Sequence, residues 1–288
     1  MCKYLFFSLF FLIARTAQTQ DRVLIDLSGP PLPKTEYIVL DLLLVECHYQ
    51  LRFQPDSLDP ERILEEPMVL HIGQKVSSFL NYNRNLSSQA LKEVTSRADF
   101  NRVLNESLAS NRSERFAPHV FKNHPEGKIT THDRVFMDSF EYEEPLYPFE
   151  WKLTGESEQW EGYAVQQAMT HYGGREWLAW FAPEIPFSDG PYKFGGLPGL
   201  ILRLYDTRQH YVFELISLTP LELPGEIEIS ASHRLRTTRK RFWEAERKFR
   251  EDAVNIVKEF LIETPADTPQ RIEQNMRRRN NPIELTAD

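Results

Sequence analysis

Apolar and polar residues alternate from Val45 to Phe53: Val45, Cys47, Tyr49, Leu51 and Phe53 are separated by Glu46, His48, Gln50 and Arg52. A period of two marks a half-buried strand, and the apolar run before it carries the strand back to Tyr37. Met68 to Leu80 reads as a second strand bent at Gly73-Gln74, with Gln54 to Pro67 as a polar, proline-marked connection. The period then changes. Leu91, Val94, Ala98, Leu104 and Leu108 approximate helical spacing, which predicts one helix over Ser87 to Leu108 capped by Ser87 or Ser88.

From Phe121 to Leu218 the pattern predicts a β-meander. Candidate strands are Ile129–Met137, Pro148–Leu153, Tyr163–Thr170, Trp177–Phe181, Leu200–Tyr205 and Tyr211–Leu218. Gly173-Gly174 and Asp206 to Gln209 are hairpin signals, and connections this short require antiparallel neighbours. Thr237 to Ile262 spaces Phe242, Phe249, Ala253, Ile256, Val257 and Phe260 as an amphipathic helix, its stripe directed at the sheet. Arg239-Lys240-Arg241 near its start opposes the helix dipole, so the cluster is expected to pair with acids elsewhere. The fold class is therefore α+β: a mainly antiparallel meander, a helix in the N-terminal half and a C-terminal amphipathic helix on the sheet.

Within the meander, Gly190 to Leu202 reads GPYKFGGLPGLIL. Leu197-Pro198-Gly199-Leu200 places Pro second and Gly third of four, as a type II turn requires. Gly195 and Gly196 permit close approach by a backbone, a ring or a ligand. A phosphate cradle is excluded, because Gly196-Leu197 stands where a P-loop needs Lys-Ser/Thr, and the dinucleotide spacing is absent. The segment Ala179 to Leu202, AWFAPEIPFSDGPYKFGGLPGLIL, resembles the defining block of the GLPGLI family, exported proteins of uncharacterised function from Bacteroidetes. The resemblance runs from about Tyr37 to Asn281-Pro282-Ile283-Glu284-Leu285, is specific in the central block and is loose before Phe140. Tyr192 stands where members usually carry Trp, and Val165 where many carry Cys. It implies an envelope location and an architecture, and it brings no catalytic residues.

The chain ends change the picture next. Lys3, the apolar run Tyr4 to Ala14, and small Ala17 and Thr19 before Gln20 read as a signal peptide over residues 1–19. Export to the periplasm or envelope is expected, with no transmembrane segment once the signal is removed. Residues 20–36 form a flexible lead-in, 37–263 one domain, and 264–288 a solvated polar tail containing Arg277-Arg278-Arg279. Removing residues 1–19 deletes Lys3 and Arg15 and no acid, moving the formal charge from −8 to −10. So acidic a chain is not expected to bind nucleic acid. The mature chain keeps one cysteine, Cys47, on an apolar strand face, which excludes an internal disulfide.

Candidate chemistry is sparse. His119, His124 and His132 match no compact metal pattern, and no cofactor is expected. Pro186-Phe187-Ser188-Asp189-Gly190 lacks a nucleophile elbow. The candidate binding residues are Trp177, Trp180, Asp189, Tyr192, Phe194, Gly195 and Gly196, weighed against simple core filling. In a regular strand Trp177 and Trp180 face opposite sides, so at most one lines a given pocket. Two functions follow from these residues: a non-enzymatic exported module binding an envelope partner or an apolar ligand, and an envelope hydrolase using Asp189, Glu184 and a histidine.

Overall fold

The computed structural model describes residues 35–109, 114–259 and 268–287. The signal-peptide segment and nearly all of the lead-in lie outside the described residues. The described chain forms one twelve-stranded sheet and four helices, an α+β arrangement with antiparallel pairing almost throughout.

The alternating segment forms β1, Tyr37–Phe53, at the middle of the sheet. The expected bent second strand is instead two. Strand β2, Leu64–Ile72, turns back into β3, Ser77–Asn81. Asp41 accepts the Lys75 and Val76 amides at 2.6 and 2.9 Å, and Gly73 donates to Val76 O. The reversal leaves apolar side chains on both limbs, which reads as one run in sequence.

The expected single helix is also two, α1 Tyr82–Lys92 and α2 Arg97–Ala109. Asn81, not Ser87 or Ser88, caps α1 by accepting from the amides of Asn83 and Arg84. Ser87 sits inside the helix and donates its hydroxyl back to Asn83 O, the local bond that makes serine neutral in helix interiors. Ser96 starts the second helix, accepting the Asp99 amide through its hydroxyl.

Strands β4 His119–Lys122, β5 Lys128–Val135 and β6 Asp138–Pro145 continue outward from β3. The meander expected from Phe121 to Leu218 breaks here. Strand β7, Lys152–Trp160, lies at the opposite edge of the sheet. From there β8 Tyr163–Tyr172, β9 Arg175–Ala182, β10 Leu200–Asp206 and β11 Tyr211–Ser230 step back inward, and β11 pairs with β1. Two meanders thus meet on the β1–β11 pair. Both hairpin signals hold: Gly173 and Gly174, at φ +57° and +75°, join β8 to β9.

The sheet curls enough for its two ends to touch. Tyr172 of β8 donates to Glu144 of β6 at 2.9 Å, although the two strands lie near opposite ends of the order. The concave face holds the core, including Cys47, Leu51, Phe79, Trp177 and Phe213. Cys47 is fully enclosed, and burial pushes its thiol well above the ordinary value.

A short strand β12, Leu235–Thr237, pairs parallel with β6, the one parallel pair among the described strands. Helix α3, Arg239–Lys258, seats Phe242 against Tyr142 and stacks Phe249 on Phe136. This is the expected C-terminal amphipathic helix on the sheet. The expected solvated tail is corrected: Thr268–Arg277 forms helix α4, and Asn281 and Glu284 are buried. None of the described helices is long and apolar enough to cross a membrane.

Candidate functional site

Residues 183–199 join β9 to β10, and prolines at 183, 186, 191 and 198 keep them out of a ladder. The loop lies in the concave face, closed on itself by an Asp189–Gly195 bridge. Two lysines fix it. Lys122 of β4 is buried and gives its ammonium to Asp189, to Gly190 O at 2.5 Å and to Phe194 O at 3.1 Å. Those three acceptors match the three donors of an ammonium. Burial lowers the Lys122 pKa, and the Asp189 charge partly offsets that.

The second lysine, Lys193, belongs to the loop itself and has no exposed surface. Its ammonium reaches Glu144 at 2.5 Å, Glu284 at 2.8 Å and the Tyr142 hydroxyl at 3.3 Å. Arg239, at the start of α3, closes the group on Glu284 at 2.8 Å and Glu144 at 3.3 Å, so of the basic cluster Arg239 pairs with distant acids. Tyr192 and Tyr172 donate to Glu284 at 2.7 and 3.2 Å. Two cations and two carboxylates balance. Burial disfavours the Lys193 ammonium, but Glu284 and the surrounding groups outweigh it and raise its pKa well above the ordinary value. Burial likewise opposes the Glu284 carboxylate, yet Lys193 and Arg239 bring it down to about 2.

Glu284 arrives on a clasped segment. Arg175, at the start of β9, donates to Asn281 Oδ1 at 2.6 Å, Pro282 O at 2.7 Å and Ile283 O at 2.9 Å, and pairs with Asp206 at 2.9 Å. Leu285 donates its amide to Gly173 O, and Asn281 Nδ2 donates to Gln54 O. A Cβ on Gly173 would stand 2.9 Å from Glu284 Cγ, so the hairpin glycine also serves the clasp.

The sequence-derived residues separate into groups. Trp177, Tyr192 and Phe194 come together, with ring centroids 4.8 Å apart for Trp177–Phe194 and 6.4 Å for Tyr192–Phe194. Trp177 and Phe194 are enclosed in the core, whereas Tyr192 borders a cavity. Trp180 turns to Tyr205, its indole N–H 3.4 Å from that hydroxyl. Asp189 is held by Lys122 and by its own Gly190 amide, while Glu184 accepts the Ala164 amide. The close approach at Gly195 and Gly196 comes from Tyr147: a Cβ on Gly195 would lie 2.6 Å from its Cζ. Trp151 donates to Gly195 O at 2.8 Å.

The expected type II turn is not the geometry found. Gly199 donates to Leu197 O at 2.8 Å, a γ-turn centred on Pro198, and the Leu200 amide goes to Ile185 O. Gly199 has φ +154°, and a Cβ there would collide with the Ala182 carbonyl. Glycine is required by backbone contact, not by the turn class.

His119 and His132 face each other across β4 and β5, but one bonds Ser78 at 2.8 Å and the other Glu141 at 3.1 Å. Among the described residues no group of three or more potential ligands converges on a metal position.

Beside the ion cluster lies a cavity of about 420 Å³, between the concave face, α3 and the C-terminal segment. Its floor is aromatic and buried: Phe53, Phe116, Tyr142, Tyr192, Tyr211 and Phe242. Its polar lining includes Asp133, Glu246 and Glu284, with Arg62, Arg115, Arg134, Arg239 and Arg279. Of the candidate binding residues read from the sequence, only Tyr192 lines it. Its one local signal was a lysine set among aromatics in Pro191-Tyr192-Lys193-Phe194, a position that demands buried acids.

A family model described as "Protein of unknown function (Porph_ging)" matches residues 172–203, from the end of β8 into β10. Two solved structures of PNGF-II, in C2 and P21 space groups, are similar at TM-scores of 0.47 and 0.48 and 13% identity. The likeness covers 72% of this chain and 33% and 34% of those chains, so this chain spans about a third of their length. No curated protein matches the chain.

Two outcomes test the site's architecture. Gly199→Ala must displace the Ala182 backbone, at about 1–3 kcal/mol, against about 0.4–1 kcal/mol for Pro198→Ala. Urea midpoints should rank them in that order at unchanged slope. Glu284→Gln leaves Lys193 and Arg239 with one buried carboxylate and should cost about 3–5 kcal/mol. The Glu284 carboxyl titrates at about 2 in the fold against 4.5 as its ordinary value, so its contribution is complete above pH 4.5 and lost as the pH falls toward 2. Acid titration of stability should therefore be flatter in Glu284→Gln than in the parent chain.

Proposed function

We propose that this chain is an exported, non-enzymatic binding module of the cell envelope, akin to the GLPGLI proteins, which holds a small apolar ligand in the cavity. The observation that carries this reading is the cavity itself. About 420 Å³ floored by six buried aromatics matches the size and apolar lining of small-molecule sites, roughly 300–1,000 Å³. The ligand platform thus moves from the Trp177–Phe194 cluster to the opposite side of Tyr192. The carboxylates first considered for hydrolysis, Asp189 and Glu184, are already engaged by Lys122 and by the Ala164 amide.

Fluorescence titration with the neutral probe phenylnaphthylamine should show saturable binding to the full chain. Ala117→Trp, which fills part of the cavity from its lining, should weaken that binding by about tenfold, the equivalent of ~1.4 kcal/mol. Absence of saturable binding would sink the reading. So would hydrolytic turnover abolished by Asp133→Asn, because enclosure pushes this cavity carboxyl up to about 7, where acid–base work at neutral pH is favoured. Export is checked on the same protein: its intact mass from envelope fractions should correspond to a chain beginning near Gln20.

A further inference from the structure

We infer that the ligand of this cavity is a small organic anion, its apolar body on the aromatic floor and its acidic head against Arg115, Arg134 and Arg279. The inference rests on the binding reading above and adds the ligand's chemical class.

Charge is the first observation. The chain carries −8 overall, yet five arginines against three carboxylates leave the cavity lining at +2. Two of the three acids are already paired with cations. Glu284 is neutralised by Lys193 and Arg239 and Glu246 lies 3.8 Å from Arg250, whereas Asp133 accepts the Arg134 amide at 2.7 Å and burial disfavours its charged form. Among the described residues Arg115, Arg134 and Arg279 have no carboxylate within ion-pair distance.

The second observation is position. Arg115, Arg134 and Arg279 are exposed at the rim, while the aromatic floor is buried. Arg62 is steered into the same region by Arg278 O, which its guanidinium bonds at 3.1 Å. Enclosure, and then repulsion from Arg62 and Arg115, holds the Arg279 guanidinium below its ordinary value. Glu246 offsets only part of this repulsion between like charges, and a bound anion offsets more of it.

A third observation is independent of charge. Among the described residues, the buried indole N–H of Trp243, a residue lining the cavity, has no hydrogen-bond partner. Apart from Asp133, the unpaired charged and polar groups lining the cavity are donors, and planar guanidinium forks fit the paired oxygens of a carboxylate, sulfonate or phosphate.

The test compares probes of one shape and different charge on the full chain. Anilinonaphthalene sulfonate should bind about tenfold or more tighter than neutral phenylnaphthylamine, with an affinity that falls as salt is added. In the double variant Arg115→Gln, Arg279→Gln that ratio should collapse toward one. The neutral probe and the near-ultraviolet circular dichroism report whether the variant is folded. Equal affinities in the parent chain overturn the anion inference and leave the binding module standing; failure of both probes removes both. Displacement of the sulfonate by dodecanoate or by naphthoate supports the inference, and the stronger of the two says whether the body is an acyl chain or a ring. Inorganic phosphate competing as well as either would overturn it, since the aromatic floor would then contribute nothing.

Discussion

An ammonium with no exposed surface governs this structure. Taking a lysine out of water costs several kcal/mol unless its charge is met and its donors are satisfied. Lys193 is met by Glu144 from β6 and Glu284 from the C-terminal segment, two residues far apart in the chain. Satisfying one side chain thus requires the end of the sheet containing β6 to curl over the loop, and the last residues of the chain to be seated. Arg239 and three tyrosines then complete the group, so that removal of any one charge strands the others. The ion cluster is not itself a strong source of stability, since a well-packed apolar group could fill the same volume. What it enforces is a particular closure, which apolar contacts alone specify less sharply.

The glycines of the central loop acquire their meaning from the same closure. Ring and carbonyl crowd them: Tyr147 over Gly195, and the Ala182 backbone over Gly199. Both contacts come from within this chain. A loop that must thread a filled concave face has no room for Cβ atoms at those points. The glycine-rich block therefore serves as the plug of a curled sheet, and the ligand-sized space lies beside it.

Much of the framework could be read from the residues. Alternation located β1, the Gly173-Gly174 hairpin was plain, and spacing placed α3 on the sheet. The errors share one cause, namely that side-chain periodicity does not register backbone hydrogen bonds. The break at Gly73 depends on Asp41 accepting the Lys75 and Val76 amides, a contact from another strand. Asn281 to Leu285 looked like solvated tail because its composition is polar and carries a proline. It is held through its carbonyls by Arg175 and through its amide by Gly173, and neither attachment leaves a pattern in the segment itself. The split of the meander is similar: residues 146–151 carry the chain to the opposite edge with aromatics that read equally well as core.

The candidate site was less legible because it is built by difference. Its aromatic floor comes from β1, the segment before β4, β6, β11, α3 and the loop, its arginines come from five separate stretches, and adjacent lining pairs such as Arg115-Phe116 carry no periodic signal. The C-terminal segment contributes to both halves of the problem: Glu284 enters the ion cluster, and Arg279, five residues earlier, stands at the cavity rim. Seating that segment neutralises one charge and gathers others. A ligand that binds the folded chain and not the unfolded one stabilises it by RT ln(1 + [L]/Kd), so an anion at Arg279 would add to the stability that Glu284 contributes. The clasp and the cavity are therefore built partly from one polar segment, which supplies Glu284 to the ion cluster and Arg279 to the rim.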